Sequence, residues 1–174
     1  MAVEFNFISY MRDEIAAKLK ELQHTETKPH FHRIMGIADM EEFIGNQLLS
    51  EGYQLLAEDR EDVRAVGSED NHLHRNFFSF YITKDFVPGD FDSIESAKKD
   101  CKKVAEKIIS RMKYDWKSEK KLSAAQWTHN IALLEPMSFT IRTVGPLGDN
   151  YIAAYVSFTV MSVPNLTYNP DDWL

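Results

Sequence analysis

The sequence predicts an α+β domain: a largely antiparallel sheet with a long central helix and two or three further helices packed on one face. Three observations carry this. In Asp92–Lys121 the apolar residues Ile94, Ala97, Cys101, Val104, Ala105, Ile108, Met112 and Trp116 recur at steps of three and four, one stripe of an α-helix. Leu73–Phe86 (LHRNFFSFYITKDF) alternates like a strand, with Phe78, Phe80 and Ile82 on one side and Phe77, Ser79, Tyr81 and Thr83 on the other. Met137–Val144 and Tyr151–Val163 also alternate, and the turn Gly145-Pro-Leu-Gly-Asp-Asn150 between them reads as the bend of an antiparallel hairpin.

In chain order, Phe5–Leu22 is the first predicted helix, with Ile8, Met11, Ile15, Leu19 and Leu22 on its apolar face and Ser9 as a candidate cap. It should end before Pro29, which disfavours helical geometry at Lys28. Phe31–Ile37 is ambiguous and reads as a short strand. Asp39 with Glu42 has the spacing of a capping box and opens a second short helix through Leu48, which Gly52 can end. Tyr53–Ala57 reads as a buried strand. Glu58–Asp70, dense in charge, is expected to be a loop or hairpin end. Pro88-Gly89-Asp90 breaks the aromatic strand and feeds the long helix, for which Asp92 and Glu95 match a capping box. Ser123–Leu134 fits a further helix, with a strand through Trp127–Leu134 as the alternative. This makes a single domain over 1–163. Residues 164–174 (PNLTYNPDDWL) form an extended tail, because Pro164 and Pro170 interrupt ladder pairing.

Composition narrows the function. With 44% hydrophobic and 12% aromatic residues, the 174-residue chain can bury a core. Its net charge of −7 argues against an overall nucleic-acid footprint. Asp92–Lys121 nevertheless holds ten Lys or Arg against six Asp or Glu, a net of +4, which leaves −11 on the remainder. Such polarity suits contact between unlike surfaces of like subunits; the plainer reading is a solvated helix face. The single cysteine, Cys101, lies on the apolar stripe and reads as a small buried hydrophobe. No apolar run is long enough to span a membrane, so synthesis in the cytoplasm is expected.

Histidine supplies the main candidate for chemistry. His30 with His32, and His72 with His74, are i, i+2 pairs, and His24 is near the first. On strands each pair would turn two imidazoles to one side, the donor set of a zinc site if the pairs met. Glu58–Asp70 offers a different alternative, an acidic module for a basic partner. Phosphate-loop, dinucleotide, serine-elbow and zinc-protease motifs are missing. The candidate interface residues are Leu166, Tyr168 and Trp173 in the tail, with Phe77 and Tyr81 on the two-sided aromatic strand.

An N-terminal amphipathic helix, the central strand FFSFYI, a long helix, the closing hairpin FTIRTV…YIAAYVSFTV and the tail PNLTYNPDDWL together resemble bacteriophage virion proteins of the tail and neck, especially tail-terminator and tail-completion proteins. The resemblance spans most of the chain as a pattern. It implies a non-enzymatic subunit, without cofactor or catalytic residues, that forms a homo-oligomeric ring and contacts other virion or assembly proteins. Its final location would then be the virion.

Overall fold

The computed structural model describes residues 5–36, 38–40, 42, 52–59, 62–68, 71–119, 134–148 and 150–162. Six strands form one mixed sheet: β1 (Phe31–Ile34), β2 (Tyr53–Glu58), β3 (Asp62–Ser68), β4 (Asn71–Asp85), β5 (Thr140–Leu147) and β6 (Tyr151–Ser162). Along its main path the order is β1-β2-β4-β6-β5, and β3 pairs with the first half of β4. Only β1 with β2 is parallel among these pairs; all others are antiparallel. The chain is α+β, as its patterning predicts.

β4 organises the sheet. Its fifteen residues pair with β6 from His74 to Asp85 on one flank. On the other flank they pair first with β3 and then with β2. β2 and β3 run in the same direction along that flank and are offset by two extra residues, between Ala57↔Phe80 and Asp62↔Phe77. The acidic stretch expected to be a loop is therefore largely strand. Its Val63-Arg-Ala-Val66 core is a good β sequence once β4 supplies a partner, and the run of charge around it masked that propensity.

The long helix α2 (Phe91–Glu119) covers one face of the sheet. Ala97, Cys101, Val104, Ala105, Ile108 and Met112 are buried against Leu55, Phe80, Ile82, Ala154, Val156 and Phe158. Its start differs from the expected capping box. Asp90 Oδ1 accepts from the backbone N–H groups of Asp92 and Ser93, at 3.0 and 3.2 Å, while Glu95 pairs with Lys98. Pro88-Gly89 turns the chain early enough for Asp90 to reach these orphan donors.

The first helical segment is shorter than Phe5–Leu22 and changes type. One α turn, α1 (Phe7–Ser9), is followed by a π-helical stretch over Tyr10–Ala16. Asn6 caps it in place of Ser9, its side chain accepting from Ser9 N–H at 2.9 Å. The wider π turn sets Tyr10 and Met11 above Ile15 and Ala16, all buried, a spacing the 3.6-residue pattern does not anticipate. Beyond Ala17 the chain turns, Gln23 takes φ +46°, and His24 N–H returns to Ala16 O at 3.0 Å. In the second expected helix residues 38–40 and 42 are helical; the rest of Asp39–Leu48 lies outside the described residues. So do residues 123–133 and the tail 164–174. Leu134 bridges to Val160 as an isolated pair.

Candidate functional site

The second face of the sheet carries two polar constellations. Ile34, Met40, Leu56, Tyr81, Leu147 and Ala153 bury part of this face in a small apolar cluster of their own. Beside it the sheet opens into a groove of about 800 Å³ whose lining includes Glu58, Phe77, Ser79, Tyr81, Arg142 and Tyr155. Strand parity builds it. Phe77, Ser79 and Tyr81 alternate along β4, their partners Ser157 and Tyr155 follow on β6, and Glu58 closes β2.

Glu58 is the polar centre of this groove. It accepts from the hydroxyl of Ser79 and, at 3.4 Å, from that of Tyr81. Tyr81 packs on Tyr155 with ring centroids 4.9 Å apart. Burial first, then the Glu58 charge and Tyr155, push the Tyr81 phenol well above its ordinary range, so it remains a donor. Arg64 sits 5.6 Å over the Phe77 ring at the rim. A hydroxyl and a carboxylate in contact lack the imidazole that serine hydrolases place between them, and no described histidine lines the groove. The carboxylate, the hydroxyls and the paired rings can hold polar and aromatic groups.

The second constellation gathers two histidines, His30 and His32, on one glutamine, with His24 beside them. Gln54 is fully buried in β2, with Oε1 3.1 Å from His32 Nε2 and Nε2 3.1 Å from His30 Nδ1. His30 Nδ1 is also 2.9 Å from the Tyr53 carbonyl. The His30 backbone N–H donates to His24 Nδ1 at 3.1 Å. Burial, the leading cause for each, holds the imidazoles of His24 and His32 below the ordinary histidine value.

The two histidine pairs of the sequence do not meet. His32 is opposite Leu56, Leu56 opposite Tyr81, and His74 lies seven residues further along β4, about 23 Å of strand. His72 lies beyond it, opposite Gly67. Among the described residues no group of three or more His, Cys, Asp or Glu has metal-binding spacing.

Of the candidate interface residues, Tyr81 is 2% exposed and packs within its own chain, while Phe77 is half-buried beneath Arg64. Leu166, Tyr168 and Trp173 lie outside the described residues. The basic face of α2 is extensively ion-paired. Lys98 meets Glu95, Lys107 meets Glu21, and Arg111 meets Asp115, which weakens it as a phosphate surface. Within the acidic stretch, Asp62–Ser68 is a strand carrying Arg64. Among the described residues no helix is long and apolar enough to cross a membrane.

Gln54, Glu58, Ser79 and Tyr155 were not singled out in the sequence. Residue parity places Ser79 with Tyr81 on β4 and could have grouped Glu58 with Gln54 on β2, but it does not bring one strand to the other. No protein-family model matches this chain, and no curated protein matches it significantly.

Proposed function

We propose that the chain is a non-enzymatic assembly protein that joins head to tail with copies of itself into a ring, in the manner of the phage tail and neck components it resembles. One observation carries this reading: three strands, β1, β3 and β5, are paired on one side only among the described residues, and the two longer ones, β3 and β5, are unlike. β5 pairs only with β6 and β3 pairs only with β4, among the described residues. Unpaired strands are templates for another chain, and proteins that stay apart blunt them with lysine, proline or cover. β5 begins Thr140-Ile-Arg-Thr-Val144, whose one charge is Arg142, and its proline and bulge come only after Val144. The β3 residues Asp62 to Ala65 are all exposed. Val63 at 45% and Met137 at 92% exposure put apolar surface in or beside these two strands.

Two different edges cannot both be satisfied by a twofold dimer joined through one of them. A β3-to-β5 contact is heterologous, and repeating it closes a ring or extends a filament. The groove beside Glu58 adjoins β3 and gives that contact a polar and aromatic floor. Other virion or assembly proteins would then stack on the ring.

Cysteine cross-linking tests the geometry. Cysteines are placed singly along β3 (Val63, Ala65) and β5 (Thr140, Arg142), then combined as β3–β5 pairs. Oxidation should convert some paired variants into ladders of linked subunits and leave the single variants uncoupled. Cross-linking of single variants with themselves would instead indicate a twofold contact and reject the head-to-tail arrangement.

A further inference from the structure

We propose that His24, His30, His32 and Gln54 form an acid-operated latch, which fastens β1 to β2 at neutral pH and lets it go when His24 and His32 take up protons. β1 is short, lies at the end of the sheet, and forms its one parallel pair with β2. Besides the Leu55 N–H bond to the His30 carbonyl at 2.8 Å, its N-terminal end is held by two contacts that each require a particular proton arrangement.

The first is at His24. Its Nδ1 accepts from the His30 backbone N–H, so that nitrogen must carry no proton. A proton there sets two donors facing each other and breaks the tie between the turn at Thr25–Lys28 and β1.

The second runs through Gln54. The Tyr53 carbonyl can only accept, so His30 Nδ1 must carry the hydrogen for their 2.9 Å contact. The Gln54 group facing that N–H should then be its oxygen. Turning the amide in this way presents its NH₂ to His32 Nε2, which a neutral His32 can accept. His32 also hydrogen-bonds the Pro29 carbonyl, which suits a proton on its other nitrogen. A second proton on His32 reverses the arrangement. Nε2–H now needs the single amide oxygen, the NH₂ swings to His30, and His30 Nδ1 must give up Tyr53 to receive it. One amide thereby converts charge on His32 into loss of the strand tether.

For His32 the bonds to Gln54 and to the Pro29 carbonyl favour a proton, and burial, the leading cause, outweighs them. On the π-helical segment Arg12 opposes a proton on His24 and Asp13 favours one, and His30 opposes it. β2 contributes the neutral Gln54, and β4 contributes neutral Thr83 as its cross-strand neighbour. His24 and His32 both have folded values below 6.5, so the unfolded chain binds their protons more readily. The stabilisation they provide is complete above that value and is lost as pH falls through the folded values. The lost stability is local, because these bonds join only the turn, β1 and the start of β2.

Hydrogen exchange on the full chain tests the latch. Between about pH 7.5 and about pH 5.5, after correction for the intrinsic rate, the amides of His32, Ile34, Leu55 and Asp59 should exchange roughly tenfold faster, while β4, β6 and α2 keep their protection. The double variant His24→Asn, His32→Gln keeps acceptors near the two ring nitrogens without titrating and should abolish the change. Unchanged β1 protection in the wild type would overturn the proposal. So would equal acid opening in the double variant, or loss of protection in β4 and β6 in step with β1. If the variant does not fold, NMR titration of the wild type decides: His24 or His32 titrating above the ordinary histidine value would overturn it as well.

Discussion

Tyr10, on the π-helical segment, donates its hydroxyl to Asp115 near the end of α2, 2.8 Å away across 105 residues of sequence. The ring is 1% exposed and packs 5.6 Å from Phe5, so the bond pins the N-terminal segment where the helix leaves the sheet. Asp115 keeps Arg111 at 2.8 Å when the hydroxyl is removed. Tyr10→Phe should therefore cost about 1 kcal/mol, below the upper range for bonds to charged groups. Urea unfolding measures this as a lower midpoint with an unchanged slope.

Phe158 is the centre of the aromatic cluster under α1. Its ring lies 5.8 Å from Phe7, 5.8 Å from Phe78 and 5.2 Å from Phe139. Phe158→Ala leaves a cavity that three rings from three segments cannot all fill, and should cost about 3–5 kcal/mol. Thermal unfolding of the variant against wild type checks this.

These two contacts show where the sequence was legible. The α2 stripe, the two-faced β4 and the β5–β6 hairpin follow periods of 3.6 and 2; α2, β4 and β6 keep close to their expected limits, while β5 starts three residues later than Met137 and runs on through Gly145-Pro146-Leu147, expected as turn. Tyr10 was missed because a π turn changes the period, and β3 because charge hid a strand whose partner is the first half of β4. The histidines were visible as pairs but assembled wrongly. Parallel pairing of β1 with β2 gathers His30 and His32 on Gln54, and no local pattern reports which strand a parallel neighbour will be.

Lys84 on β4 reaches Asp100 on α2 at 2.8 Å and lies 5.1 Å over the Tyr53 ring. The hydrogen bond from Lys84 holds the Asp100 carboxyl below its ordinary 3.8. A depressed carboxylate stabilises the fold above its unfolded value and loses that contribution as pH falls through the folded one. Lys84→Met should thus be less stable than wild type at neutral pH, with the gap narrowing below about pH 4. Chemical denaturation from neutral to acid pH follows the gap.

Cys101 is buried and donates Sγ–H to the Ile152 carbonyl at 3.7 Å. Burial pushes its thiol up to about 12. At mildly alkaline pH the folded protein should react with a thiol reagent only at its opening rate, orders of magnitude below the rate in denaturant. A disulfide-exchange assay with and without urea provides the comparison.

Native mass spectrometry of the full chain tests the assembly reading most directly. A head-to-tail ring predicts one discrete species of at least three subunits, each of 20.2 kDa, that persists on dilution. A 20.2 kDa monomer at every concentration, or a species that stops at two subunits, would contradict it.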